Sequence, residues 1–154
     1  MTGSNIMTGA LAGFAATVPM TVAMEVMHKQ LPPDEQYPLP PAEITSELAS
    51  EARVSDKMDE KGITLATLAS HFAYGAAAGA LYAPLASRLR PNPLLGGAAY
   101  GLAVWSASYL GLLPGLGILK PATEHPARRN ALMIASHVIW GTALGMLVSR
   151  MSDD

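Results

Sequence analysis

The chain has 154 residues, half of them hydrophobic; only 14% are charged, against about a quarter in soluble domains, and the formal net charge is -2. That length holds one domain, residues 1–154, and the acidic balance excludes a nucleic-acid binder, which needs a basic face to neutralise phosphates. Absence of cysteine removes disulfides, thiolate metal sites and thiol nucleophiles.

Four windows, 1–24, 62–87, 91–119 and 130–149, contain no Asp, Glu, Lys or Arg. A hydrocarbon core about 30 Å thick is crossed by roughly 20 helical residues, so each window is long enough to span. Helices of a soluble bundle would each carry a charged stripe, and four strands cannot close a barrel in lipid. The expected fold is an all-α membrane protein with four transmembrane helices near 6–27, 63–86, 94–117 and 129–150.

The first helix has no Lys or Arg in Met1–Asn5, so it reads as a retained span and not a secretory signal. Gly9, Gly13, Thr17, Thr21 and Glu25 recur every four residues and predict a polar inward stripe. Pro19 frees the carbonyl of Ala15, which the threonine hydroxyls are placed to satisfy. Glu25 has two readings: the end of a hydrated path, or an anchor paired with Lys29, Arg128 or Arg129. Glu25-x-x-His28 has metal-ligand spacing, yet no second such pair exists in the spans.

The next connection, Lys29 to Lys61, carries most of the charge and the proline run from Leu31 to Pro41. Prolines stiffen that stretch, and Ala42 to Val54 is expected to form a short surface helix with Pro41 as its first residue. The remaining connections, 88–93 and 120–128, are short and make neighbouring helices antiparallel. Lys29, Arg53, Lys57, Lys61, Lys120, Arg128 and Arg129 fall on one side, and Arg88, Arg90 and Arg150 on the other. The bias places the long loop in the cytoplasm and both termini outside.

Each span carries a Gly-x-x-x-Gly: Gly9/Gly13, Gly75/Gly79, Gly97/Gly101 and Gly141/Gly145. Helices in lipid associate by close backbone approach, which small residues at this spacing permit. Ala78 is expected on a lipid-facing side. The segment Ala69–Leu81 matches Ala135–Leu147 at a constant offset of 66 residues, and Gly9, Ala10, Gly13 and Ala15 align more weakly with Gly97, Ala98, Gly101 and Ala103. The reading is a tandem repeat of two helical hairpins related by a pseudo-two-fold along the membrane normal. His71 and His137 then lie at matched depth, on the faces of their glycines.

These histidines, with Glu25, Thr21 and Thr17, form the candidate intramembrane polar site, since ionisable groups within spans are costly and mark function. Three readings stay open. Each imidazole is neutral and bonds a neighbouring helix, with Ser70 and Ser136 nearby; or the pair ligates haem b or a metal ion; or the pair belongs to a proton or small-solute path. Trp105, Tyr109, Tyr74, Trp140, Tyr82 and Tyr100 are candidates for a cofactor cradle; aromatics near headgroups are more often interface anchors, and Tyr82 and Tyr100 fit that reading. No catalytic residue is assigned, because no nucleophile triad, phosphate loop or paired carboxylates at depth are visible.

Pro19-Met20-Thr21, Met24–His28, the Tyr37–Thr45 stretch and His125–Leu132 resemble the YagU-like family of small, uncharacterised bacterial inner-membrane proteins. The resemblance implies an inner-membrane location and a link to acid tolerance, and supplies no active site. The function expected is a non-enzymatic bundle without a cofactor, acting by helix association with itself or with other membrane subunits, as an accessory or stress-related component. The alternatives are a bis-histidine haem or metal protein and a conducting unit.

Overall fold

The protein is described by a computed structural model over residues 2–54 and 58–153; Met1 and Lys57, which enter the window and charge counts, lie outside the described residues. All regular structure among them is helical: α1 Thr2–His28, α2 Pro40–Glu51, α3 Glu60–Leu89, α4 Pro93–Ser106, the short α5 Leu113–Gly115 and α6 Ala127–Asp153. One-turn 3-10 segments at Pro33–Glu35 and Ala122–Glu124 punctuate the two longer connections.

Local chemistry sets the boundaries. Asp59 caps α3 by accepting from Gly62 N at 2.8 Å. Asn92 caps α4 by accepting from Leu94 N and Leu95 N, and Pro93, which has no N–H to leave unsatisfied, takes the first position. The surface helix begins at Pro40 and ends at Glu51, a shift toward the proline run from the expected 42–54.

The third of the long apolar segments is not one regular helix. Between α4 and α5, Ala107–Leu112 winds as a π-helix, with Leu113 N donating to Ser108 O. Pro114 explains the change: lacking an N–H, it cannot serve the carbonyl of Leu110, and the wider turn rehouses the neighbouring bonds. The extra residue per turn buries two consecutive side chains, Ser108 and Tyr109.

Backbone contact joins the long helices in two pairs. A Cβ on Gly9 or Gly13 of α1 would collide with the carbonyl of Gly79 or Gly75 of α3; Gly97 and Gly101 of α4 stand the same way against Gly141 and His137 of α6. The two crossings use corresponding glycines one helical turn out of step, because Gly13 meets Gly75 while its counterpart Gly101 meets the residue four before Gly141. Gly145 shows the same slip at the other end of the crossing. Its counterpart Gly79 faces Gly9, whereas Gly145 faces the carbonyl of Pro93, at the capped start of α4, so its partner is not a glycine carbonyl of the α4 motif. The pairs then join along α1 and α6, whereas α3 and α4 barely touch. The pseudo-symmetry is therefore broken, and the row α3, α1, α6, α4 leaves a cleft between its outer members.

Tyr82 and Tyr100 partly fill that cleft. They are not interface anchors: Tyr82 is buried, its ring lies 4.9 Å from that of Tyr100, and Tyr100 Oη donates to Ala78 O at 2.7 Å. Ala78 is accordingly buried beside them, not lipid-facing, and the more outward position is its neighbour Ala77. Leu at Gly141 must push against the Gly97 carbonyl, and Leu at Gly75 must displace the β-branched, hydrogen-bonded Thr17 and then the Gly13 carbonyl, so each variant should lose about 3 kcal/mol or more of stability, while Ala77→Leu stays within about 0.5 kcal/mol. Thermal melts in detergent check this; equal tolerance at the three positions would show that these are not the packing contacts.

Candidate functional site

The cleft between α3 and α4 closes into a cavity of about 260 Å³ in the half of the bundle nearest α2. Its walls come from every long helix: Thr17 and Met20 from α1, His71 and Tyr74 from α3, Val104 from α4 with Ser108 and Tyr109 from the π turn, and Met133, His137 and Trp140 from α6. Pro41, Ile44 and Leu48 of α2 roof it. The structure thus brings His71, His137 and Thr17 to one space.

Most polar groups in this wall are already satisfied. Thr17 Oγ1 donates to Gly13 O at 2.8 Å, Trp140 Nε1 to the same carbonyl at 3.3 Å, and the hydroxyls of Tyr74 and Ser108 share a bond of 2.8 Å. The histidines differ. His137 Nδ1 donates to Met133 O on its own helix at 2.8 Å, which leaves Nε2 of the neutral ring as an acceptor without a partner among the described residues. His71 Nε2 is buried and also unpartnered. A buried polar atom left unpaired costs about 1–3 kcal/mol, so such atoms are concentrated where something binds or reacts.

Several side chains depart from what their spacing suggests. Neither histidine bonds a neighbouring helix among the described residues; Ser136 stays on its own helix, donating to Leu132 O, whereas Ser70 donates to Thr67 O and also meets Thr45 Oγ1 of α2 at 3.3 Å. Thr17 and Thr21 turn back onto Gly13 O and Thr17 O, so the carbonyl of Ala15 gains nothing from them. Glu25 is exposed, away from the cavity, and the ion pair found among the described residues is Arg128–Glu35 at 4.0 Å, not a pair of Glu25. His28 bonds the Tyr37 carbonyl instead of acting with Glu25. Of the six aromatic residues offered as a cradle, Tyr74, Tyr109 and Trp140 line the cavity and Trp105, Tyr82 and Tyr100 do not. No three His, Asp or Glu side chains converge among the described residues.

Nothing in the sequence pattern pointed to the clamp that holds the roof. Arg129, only 4% exposed, donates to the carbonyls of Glu35, Tyr37 and Pro38 at 2.8–2.9 Å, and its guanidinium lies 3.5 Å above the Tyr37 ring. His28 of α1 donates to the Tyr37 carbonyl at 3.0 Å, and the Tyr37 hydroxyl meets His125 Nδ1 at 3.0 Å. The proline run is thereby a strap held from α1, from α6 and from the loop before α6, and it delivers α2 over the cavity. Glu43 of α2 sits half-buried nearby; burial raises its pKa, and Arg129 and His125 offset that only in part.

A model of the family described as Protein of unknown function (DUF1440) matches residues 20–146, most of the chain. The chain belongs to the DUF1440 family. No curated protein matches it, and no solved structure does. In this DUF1440 chain the matched span takes in the clamp, the π turn and both cavity histidines.

At the clamp, Arg129→Met strips three carbonyls of a charged donor and should destabilise by about 2 kcal/mol or more, with faster proteolysis between Leu31 and Pro40; Arg129→Lys should recover only a fraction, for want of the planar fork. Unchanged cleavage in both variants would show the strap is held otherwise. At Glu43 the raised folded pKa means the ionised form is disfavoured on folding, so the penalty is absent below the ordinary value of 4.5 and develops as pH rises through the folded pKa. Glu43→Gln should therefore raise the melting temperature at pH 7 and not at pH 4, and a gain equal at both would refute the assignment.

Proposed function

We propose that the protein is a four-span bundle of the bacterial inner membrane, a tandem pair of helical hairpins that acts without catalysis as a binding or accessory unit built around the α3–α4 cavity. Two helices, over Asn5–His28 and Ala127–Ser152, are long and apolar enough to cross a bilayer. The observation that carries the fuller reading is the outer surface. Met7, Leu11, Phe14, Val18, Val22 and Val26 form one exposed stripe along α1, and Leu65, Leu68, Leu81 and Leu85 are exposed on α3. Leu94, Leu95, Leu102, Leu110 and Leu112 continue the apolar surface over α4 and the π turn. Soluble monomers do not keep contiguous apolar patches of that extent in water, whereas lipid tails cover them without penalty.

Pro93 to Gly115 carries no charge and, although its winding changes at the π turn, runs for roughly 30 Å, enough for a further crossing. The likeness to the YagU-like family supports the inner-membrane location, and the Lys and Arg bias supports a cytoplasmic long loop. The glycine faces lie inside the chain, so self-association or docking to another subunit would use the outer stripes.

A second reading, a bis-histidine haem or metal protein, draws on His71 and His137 lining one cavity; a visible absorption band lost in His137→Gln would favour it. Conduction is the weaker alternative, since Thr17 and Thr21 direct their hydroxyls to their own helix. Four spans put α2 and the loop before α6 on the same side. In this cysteine-free chain, single cysteines at Ser50 and Thr123 should react with an impermeant maleimide from one face only, the same for both. Labelling from opposite faces would reject the topology.

A further inference from the structure

The cavity wall specifies what chemistry could occupy it. His137 Nδ1 is committed as a donor to Met133 O, and a neutral imidazole has one donor and one acceptor, so Nε2 asks its occupant for a hydrogen-bond donor. The Tyr109 hydroxyl, whose ring meets that of His137 edge-on at 5.8 Å, makes no hydrogen bond among the described residues either. Among the described residues nothing acidic lines the cavity to balance a cationic occupant, and nothing basic beyond the imidazoles balances an anionic one, so the chemistry favours a neutral occupant.

Size and shape narrow it further. A cavity of about 150 Å³ lined by apolar side chains holds benzene, and this one, at about 260 Å³, has room for a substituted ring. Tyr109 and Trp140 offer aromatic surface, with Met20, Val104, Leu113 and Met133 completing an apolar wall. Leu48 of α2 and Leu112 of the π turn line the space yet stay exposed, 45% and 55%, which puts an apolar mouth between those two elements. A molecule already dissolved in the bilayer would meet that mouth directly.

We propose that the cavity binds the head group of a neutral, membrane-soluble hydroxylated ring, a phenol or a quinol, whose hydroxyl donates to His137 Nε2 while its apolar remainder lies toward Leu48 and Leu112. The proposal rests on the four-span reading for the route of access. Its test is independent of that topology.

The test uses the protein in detergent with Trp105→Phe, so that Trp140, which lines the cavity, is the remaining tryptophan. The probes are 4-bromophenol and 4-bromoanisole, which share a contact-quenching bromine and differ in the donor. Bromophenol should quench Trp140 saturably, at a concentration tenfold or more below that of bromoanisole, and His137→Phe should abolish the difference. Linear, unsaturable quenching by both would show partition into the micelle alone and overturn the site. Saturable quenching at equal concentrations would overturn the donor requirement. If His137→Phe does not fold, the contrast between the two probes on the intact histidine decides. Failure here with Ser50 and Thr123 positions labelled from one face removes the ligand and leaves the bundle; opposite-face labelling removes the bundle whatever the quenching shows.

Discussion

Backbone-to-backbone approach at two glycine crossings sets the geometry on which everything else rests. Where Gly9 and Gly13 face Gly79 and Gly75, and Gly97 and Gly101 face Gly141 and His137, carbonyls of one helix meet the glycines of the other, with only the small side chains of Thr17 and Ala83 beside the first crossing. A pair that close has no groove left on its inner side, so the two pairs must meet along other faces, and they do so through α1 and α6. The seam takes small and flexible residues from α1, Ala12, Ala16, Met20 and Met24, and larger ones from α6, Leu132, Met133, Trp140 and Leu144. Joining on one side prevents joining on the other. The cavity is the geometric remainder of two tight pairs packed with a one-turn mismatch.

Low dielectric surroundings explain why so many hydroxyls in this bundle bond back to carbonyls four residues earlier, as Thr17, Thr21, Thr45 and Ser136 do. Each is satisfied by that bond within its own helix, and Thr45 alone of the four also meets a neighbour, Ser70 of α3 at 3.3 Å. Against that background the unpaired Nε2 atoms of His137 and His71 and the unpaired hydroxyl of Thr67 stand out. The same self-sufficiency holds in the strap, where a buried guanidinium is matched by three carbonyls and an aromatic face, with no carboxylate bonded to it among the described residues. The ion pair Arg128–Glu35, at 4.0 Å, joins a well-exposed Arg128 to a largely buried Glu35, and at that length and exposure of the cation it contributes little.

Hydropathy and glycine spacing made the four long segments legible, since charge-free windows and four-residue periods are properties of the chain itself. The positions of the histidines relative to their glycines were legible for the same reason. Less so was which turn of one helix meets which turn of another: that register depends on side-chain volume across the crossing, and it put Ala78, Tyr82 and Tyr100 inside where their spacing suggested the outside. It also set Gly145 against a proline carbonyl, a partner that no glycine pattern announces. The π turn was written in Pro114, a signal read only once the unserved carbonyl of Leu110 is considered. Arg129 was hidden because its partners are carbonyls, which every residue has, and charge counting looks only for carboxylates. Glu25, conspicuous in sequence as the acidic member of the glycine and threonine stripe, proved exposed.

The strap has a consequence for how the protein is made. Arg129 bonds the carbonyl of Pro38, 91 residues earlier in the chain. Synthesis therefore delivers the first hairpin and the proline run long before the residue that fastens them, and α6, which also fills the middle of the row, emerges last. Until then α1 and α3 can lie together by their glycines, but α2 has no fixed resting place and the cavity has only some of its wall. A ribosome stalled before Ala127, or a chain truncated there, would leave a paired hairpin with an untethered polar loop, and quality-control proteases could recognise that loop as the mark of an unfinished molecule.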